Sequence, residues 1–332
     1  MWGSLWSSCP DCFVSEYVCP NCRAPLIASA RDLQCRSCDR SFPVGDGIAD
    51  FSEGRSYDSF SPGQPLSAVE REGLENEIPG AAARITDYYQ RILEGSLDRR
   101  GRPLRVLDSG CGNGLSVDLL CDAGFDAWGT DFSALRRWQW RERRHRDRLS
   151  MADGMRLPFA DGFFDAVLCS GVLEHVGVAE SRDGGYSVRA LPDRDAARTA
   201  FLAEHVRILA PRGRILLDFP NGAFPIDFWH GPRPGAARWH RRDEGFLPTA
   251  SDVRRYAGGL RGGLDVRALS SRGRLRFRQV GRHWWGRLLA PFASAWLAAV
   301  DVRGLALLRE SSLNPFLVLE LRRREDGRGD GR

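Results

Sequence analysis

Residues 104–114, LRVLDSGCGNG, constrain this chain more than any other stretch. A short apolar run leads into Asp108, and Gly110, Gly112 and Gly114 follow at alternate positions. The apolar run reads as a buried strand, and residues 115–123 behind the glycines read as a helix. Glycine lets the backbone turn sharply and come close to a ligand. The first N–H groups of the helix point at the same spot. A lone Gly-x-Gly-x-Gly fits any nucleotide site, so its surroundings must decide.

Those surroundings alternate. Strand signals at 126–132, 149–152, 163–170 and 214–219 are interleaved with helical ones at 133–148 and 194–209. Such alternation predicts an α/β fold, a mostly parallel, Rossmann-like sheet with helices on both faces. Upstream, Ile85, Tyr88, Tyr89 and Ile92 recur at helical spacing. The rhythm breaks after Asn221. Residues 221–248 are rich in Pro, Trp and His, a helix capped by Thr249 or Ser251 spans 249–257, and strand-like pieces at 264–269 and 315–321 flank a helical stretch at 286–309.

Asp131 stands about 20 residues past the glycines, at the end of the second strand, where an acid can accept from a ribose diol. Asp153-Gly154 follows the third strand, and the fourth ends at Ser170-Gly171. These strand ends share the sheet edge at which open α/β sheets bind ligands. One aspartate at a strand end is more often a helix cap than a ligand; three at successive ends reverse those odds.

Taken in order, VLDSGCGNG (106–114), GTDFS (129–133), ADGMRLPFADGFFDAVLCSGVLEHV (152–176) and LAPRGRILLDFPN (209–221) resemble the class I S-adenosylmethionine-dependent methyltransferases. The resemblance covers residues 81–221 and implies a seven-stranded sheet. It implies that Asp108 with Gly110, Cys111, Gly112 and Gly114 cradles the methionine part of S-adenosylmethionine. Asp131 would take the ribose, and Asp153 and Gly154 the adenine, with Phe132 and Met155 as apolar walls and Ser170 at the fourth strand end. Dehydrogenases share the first loop and the ribose acid, but the later motifs fit them less well.

Six of the nine cysteines form Cys-x-x-Cys pairs before residue 40. Cys19/Cys22 and Cys35/Cys38, twelve residues apart, can place four thiolates on one tetrahedral Zn²⁺. A segment of this size cannot bury enough apolar surface to fold unaided, and the metal would supply the stability. Cys9/Cys12 is open between a free pair and a share in a second site. Residues 17–51, closing on SFPVGDGIADF, resemble the zinc-ribbon activators of methyltransferases. That implies a structural module contacting its own catalytic domain or a substrate. The chain is expected to divide into a ribbon (1–51), a linker with at most one short helix (52–80), a methyltransferase domain (81–323) with acceptor-site insertions at 178–192 and 221–310, and a disordered tail (324–332).

Methyl transfer needs alignment above all, and a base only for a poorly acidic nucleophile. Glu174 and His175, just past the fourth strand, read either as structural, cofactor-side residues or as that base. Asp227, His230 and His240 lie in the aromatic 221–248 loop, which reads equally as acceptor pocket or core packing. A small-molecule or lipid- or sugar-linked acceptor, methylated on oxygen, is the main expectation. Residues 136–148, with seven Arg and two Trp, raise an RNA-base methyltransferase as an alternative, and a non-catalytic cofactor-binding scaffold is a third. All 48 basic residues are Arg, however, so Arg marks no single surface as special. Residues 284–309 suit either a membrane interface or a helix packed over the site. The apolar stretch at 288–300 is too short to span a bilayer and residues 1–8 have no signal-peptide pattern, so a cytoplasmic protein is expected.

Overall fold

The computed structural model describes residues 13–324 apart from 30, 62, 64, 66–67, 96–100, 182–185, 233–235, 261–262, 275–283 and 300–301. Cys9, Cys12 and residues 325–332, all but the first residue of the expected tail, lie outside the described residues. Five short strands come first: β1 (Phe13–Val18), β2 (Pro25–Ala28), β3 (Asp32–Gln34), β4 (Ser41–Gly45) and β5 (Ile48–Asp50), each antiparallel to the next. Helix α1 (Ala68–Arg84) runs through a π-turn (Ile85–Tyr89) into α2 (Gln90–Glu94). The wider turn lets the adjacent Tyr88 and Tyr89 both face the core. A helix beginning at Ala68 is longer than the short one expected between residues 52 and 80.

The main sheet is built from β6 (Arg105–Ser109), β7 (Asp126–Asp131), β8 (Leu149–Met151), β9 (Phe164–Ser170), β12 (Leu209–Pro220), β15 (Leu264–Ala268) and β16 (Phe316–Arg323). Across the sheet they run β8-β7-β6-β9-β12-β16-β15, parallel except for β16, which is antiparallel to both its neighbours. This is the class I methyltransferase fold. The chain moves outward in one direction from β6 to β8 and in the other from β9 to β12, so the C-terminal ends of β6 and β9 flank the switch point where a ligand crevice forms. Helices α3 (Leu115–Asp122), α4 (Ala134–Gln139), α5 (Arg194–Ile208), α6 (Ala250–Gly258) and α7 (Trp284–Ala299) make the connections. Thr249 caps α6 in a capping box with Asp252.

The five-stranded ribbon does not stand apart. β5 lies parallel to β8, with Ala49 opposite Ser150 and Asp50 opposite Met151, so twelve strands form one continuous sheet. Ribbon residues Tyr17, Leu26, Phe42 and Phe51 share a core with Trp128, Phe159 and Phe164.

Two expectations change here. The helix predicted over 133–148 stops at Gln139 and gives way to 3₁₀ turns at Trp140–Glu142 and Arg146–Arg148. Trp140 is fully buried and donates to the Gly112 carbonyl at 2.8 Å, while the Asp118 carboxylate accepts from the Arg144 and His145 amides, and these ties bend the chain off the helical path. Two hairpins were not signalled: β10 (Val178–Ser181) with β11 (Ser187–Ala190), and β13 (Ile226–Asp227) with β14 (Arg238–Trp239).

Candidate active site

The glycine loop leaves β6 with Gly110, Gly112 and Gly114 all in the left-handed region. The Gly110 and Cys111 amides donate to the Thr130 carbonyl at 2.8 and 3.0 Å, tying the loop to β7. Gly110 must be glycine twice over. Its φ is +78°, and a Cβ there would come within 2.2 Å of Val172 Cγ2. Cys111 contributes backbone only: its side chain is buried, and burial pushes its thiol well up.

Asp108 is 1 % exposed, and neither carboxylate oxygen has a hydrogen-bond partner among the described residues. Arg84 lies 3.5 Å away, and its own Nε is likewise unpartnered. Burial raises the Asp108 carboxyl, with the Arg84 charge opposing. A buried carboxylate without donors is costly unless a ligand supplies them. An ammonium group and a carboxylate, the two ends of an amino acid, match this pair.

On β7, Asp131 accepts from the Gly112 amide (2.9 Å) and the Phe132 amide (2.8 Å). Burial pushes its carboxyl up to about 6, against the nearby Arg136 charge. Asp153 Oδ1 accepts from the Met155 amide at 3.0 Å, and a Cβ on Gly154 would meet the Phe201 ring at 2.5 Å. Met155 is largely exposed beside them. Ser170, at the end of β9, instead spends its hydroxyl on a buried network. It donates to Asp218 at 2.7 Å, and Asp218 also accepts from Arg274 Nε (2.6 Å) and from Tyr89.

Beyond β9 the four residues read as candidate catalytic groups converge. The Glu174 side chain is buried in the 3₁₀ turn Leu173–His175, and its Oε2 has no hydrogen-bond partner among the described residues. The rings of His175 and His230 stand 5.2 Å apart, edge to face. His175 Nδ1 meets Glu180 Oε1 at 2.6 Å, and His230 Nδ1 meets Asp227 Oδ2 at 3.0 Å. Both carboxyls are buried enough to be raised, yet the histidine hydrogen bonds hold each down at about 2. Tyr57 and Tyr186 also donate to Glu180, and Arg238 Nε donates to Asp227 at 3.2 Å. His240, read as a further candidate, turns away to the Phe224 carbonyl at 2.5 Å.

Residues 107–217 match a family described as a methyltransferase domain. These residues lie within the class I methyltransferase fold described above. A demethylmenaquinone methyltransferase of Beutenbergia cavernae is 34% identical over 146 residues, which is 41% of this chain and 53% of that protein. Another, from Corynebacterium urealyticum, is 33% identical over 123 residues, 36% of this chain and 44% of that protein. The chain thus spans about half the length of the curated relatives it matches. Among solved structures, a TehB-like S-adenosylmethionine-dependent methyltransferase of Corynebacterium glutamicum overlaps 76% of this chain and 97% of its own, with 18% identity and a TM-score of 0.42. A complex of the Haloferax volcanii Trm112 methyltransferase activator with a putative methyltransferase overlaps 76% of this chain and 96% of its own, with 15% identity and a TM-score of 0.40.

The four ribbon thiols gather in one cluster. Cys19–Cys38, Cys22–Cys35 and Cys22–Cys38 sulfur pairs lie 3.6, 3.4 and 3.6 Å apart. Zn–S bonds of about 2.3 Å in a tetrahedron require sulfurs roughly 3.8 Å apart, so the four suit one ion. The turns that present them are tight: the Cys19 amide donates to Ala24 and the Cys35 amide to Arg40, with Arg23 and Asp39 left-handed.

The Arg-rich stretch is largely ion-paired with acids of the domain, the ribbon and the segment between them. Arg136, Arg137, Arg141, Arg143, Arg144 and Arg148 each sit within ion-pair reach of a carboxylate. Among the described residues no helix is long and apolar enough to cross a membrane. Sequence reading missed Arg84, Glu180, Asp218 and Arg274. Glu180 had a faint signal, lying five residues past His175 in a stretch already suspected of shaping the pocket; the others had none, since their partners are distant in sequence.

Proposed function

We propose that this protein is an S-adenosylmethionine-dependent methyltransferase acting on a small-molecule or lipid- or sugar-linked acceptor through oxygen. One observation carries the reading: at the switch point of the sheet, the glycine loop, Asp108 without a hydrogen-bond donor among the described residues, and the acids Asp131 and Asp153 stand beside an imidazole–carboxylate cluster. Bound there, S-adenosylmethionine supplies an electrophilic methyl group on its sulfonium. Asp108 and Arg84 would hold the amino-acid end, Asp131 the ribose, and Asp153 with Phe132 and Met155 the adenine. His175, His230 and Glu174 face the acceptor. Their role is to hold the acceptor oxygen in line and to ease the loss of its proton as it attacks.

The demethylmenaquinone methyltransferase relatives support a small, lipid-linked acceptor. The ion pairing of the Arg-rich stretch speaks against a long RNA track. Cys19, Cys22, Cys35 and Cys38 would hold a structural Zn²⁺, worth on the order of 10–16 kcal/mol of binding free energy in small zinc modules. We assign the ribbon to residues 1–51 and the catalytic domain to 81–323. Titration calorimetry tests the reading: the protein binds S-adenosylmethionine or S-adenosylhomocysteine, and Asp131→Ala weakens that binding by roughly a hundredfold or more. Failure of the unaltered protein to bind either ligand rules the reading out.

A further inference from the structure

The acceptor-side cluster has the composition of a metal site. One ligating atom from each of Glu174, His175 and His230 lies within 4.8 Å of the other two. Glu174 is 1 % exposed and its Oε2 has no hydrogen-bond partner among the described residues. A buried carboxylate oxygen left bare forfeits its solvation without return, and a cation placed among these three groups would supply it.

The surroundings of the two imidazoles point the same way. His175 Nδ1 is held by Glu180 at 2.6 Å and His230 Nδ1 by Asp227 at 3.0 Å. A carboxylate on one ring nitrogen fixes the tautomer, orients the ring and makes the other nitrogen more basic, the arrangement found behind metal-bound histidines. The carboxylates are held in turn: Tyr57 and Tyr186 donate to Glu180, while the Trp229 and His230 amides and Arg238 donate to Asp227. Asp227 is fully buried, so this outer ring is rigid. The three inner groups come from two different loops, one after β9 and one after β12, which the β13–β14 hairpin and the outer ring bring together.

We propose that Glu174, His175 and His230 bind a divalent first-row transition-metal ion, with Glu180 and Asp227 as positioning residues. Two imidazoles and one carboxylate suit zinc, cobalt, manganese or iron better than the oxygen-seeking magnesium or calcium. Three protein ligands leave positions open, which oxygens of the acceptor can fill. This rests on reading the cluster as the acceptor side of a methyltransferase, and it narrows that reading to acceptors with a ligating oxygen.

The test uses full-length, untagged protein stripped of metal and titrated with Co²⁺, followed by visible absorption and by metal analysis after gel filtration. The ribbon thiols give an intense sulfur-to-cobalt charge-transfer band. The proposed site adds a further equivalent with weak bands of nitrogen and oxygen ligation and no growth of the thiolate band. Glu174→Gln and His230→Gln should each lose that equivalent while keeping the thiolate band, which reports that the chain is folded. Asp227→Asn should weaken the second equivalent by about 10- to 100-fold. If the unaltered protein takes up cobalt only with thiolate bands, or if Glu174→Gln and His230→Gln keep the second equivalent, the proposal is overturned. Calorimetry with S-adenosylhomocysteine on the same samples separates the two readings. Cobalt uptake without cofactor binding removes the methyltransferase reading and leaves the metal site standing; cofactor binding without the second cobalt does the reverse.

Discussion

Asp131 offers the sharpest test of the cofactor site, because its expected behaviour differs between binding and stability. A carboxylate has about four lone-pair directions. The Gly112 and Phe132 amides occupy two, at 2.9 and 2.8 Å, which leaves two for a ribose diol. Hydrogen bonds to a charged acceptor are worth about 1.5–3 kcal/mol each. Losing both should weaken S-adenosylhomocysteine binding by at least about 3 kcal/mol, roughly a hundredfold or more. Asp131→Ala also frees the Gly112 amide, so the loss should exceed that of Asp131→Asn. The pH dependence follows from burial, which pushes the carboxyl from 3.8 to about 6. Only the ionised form accepts two hydroxyls, so affinity should be flat above pH 6 and fall about tenfold per pH unit below it. The ligand-free protein should show the opposite slope from this residue. Its folded state holds the proton more tightly than the unfolded chain, so between pH 6 and 3.8 acid relieves up to about 3 kcal/mol of burial cost. Calorimetric titrations from pH 5 to 8 on the unaltered protein and both variants check this. Affinity for Asp131→Ala within threefold of the original, or no pH dependence in the original, would refute the reasoning.

Other predictions reach different parts of the molecule. His205 is fully buried, between the Phe201 carbonyl on Nδ1 (2.7 Å) and the Ser109 hydroxyl on Nε2 (2.8 Å), and burial lowers its ring from 6.5 to about 4. The unfolded chain therefore binds the extra proton, and about 3 kcal/mol of stability should disappear as pH falls from 6.5 to 4; urea unfolding of His205→Gln should show a flatter pH profile, and an unchanged profile would contradict this. Gly110→Ala should cost about 2–4 kcal/mol from left-handed strain and the 2.2 Å approach to Val172, and adding Val172→Ala should return part of it; no gain in melting temperature in the double variant would show that the clash is not the cause. Stripping zinc with a chelator should lower the melting temperature and expose ribbon residues to proteolysis, and a melting temperature unmoved by chelation would argue against the metal.

Where local residues set local structure, the sequence was readable. The strand–glycine–helix unit around Gly110, the Thr249 cap and the alternating strands all came from neighbours within a turn or a strand. The shortfall has a common cause. The helix after Ser133 stops early because Trp140 reaches the Gly112 carbonyl, 28 residues back, and nothing near Trp140 announces that bond. Asp218 acquires Arg274, Tyr89 and Ser170 from three distant segments. The histidine–carboxylate cluster is intermediate. Glu174, His175, Asp227 and His230 could be nominated by residue type and place, but their convergence depends on two short hairpins whose strands carry too few residues for a period to show.

The ribbon is best understood through the edge it covers. Without β5, strand β8 would end the sheet with a row of unpaired backbone groups, a liability that proteins ordinarily blunt or cover. Pairing of Ala49 and Asp50 with Ser150 and Met151 removes that edge, and Tyr17 and Phe51 pack with Trp128 and Phe159 behind it. The same strands carry the acids proposed to hold the cofactor: β7 ends at Asp131, and β8 leads into Asp153. Metal held by the four ribbon thiols would therefore act on these strands through the fold of the ribbon itself. It would do so by keeping β5 folded against β8, and hence β8 in register with β7. A ribbon that served only to recruit a substrate would have no need to share a sheet and a core with β7 and β8.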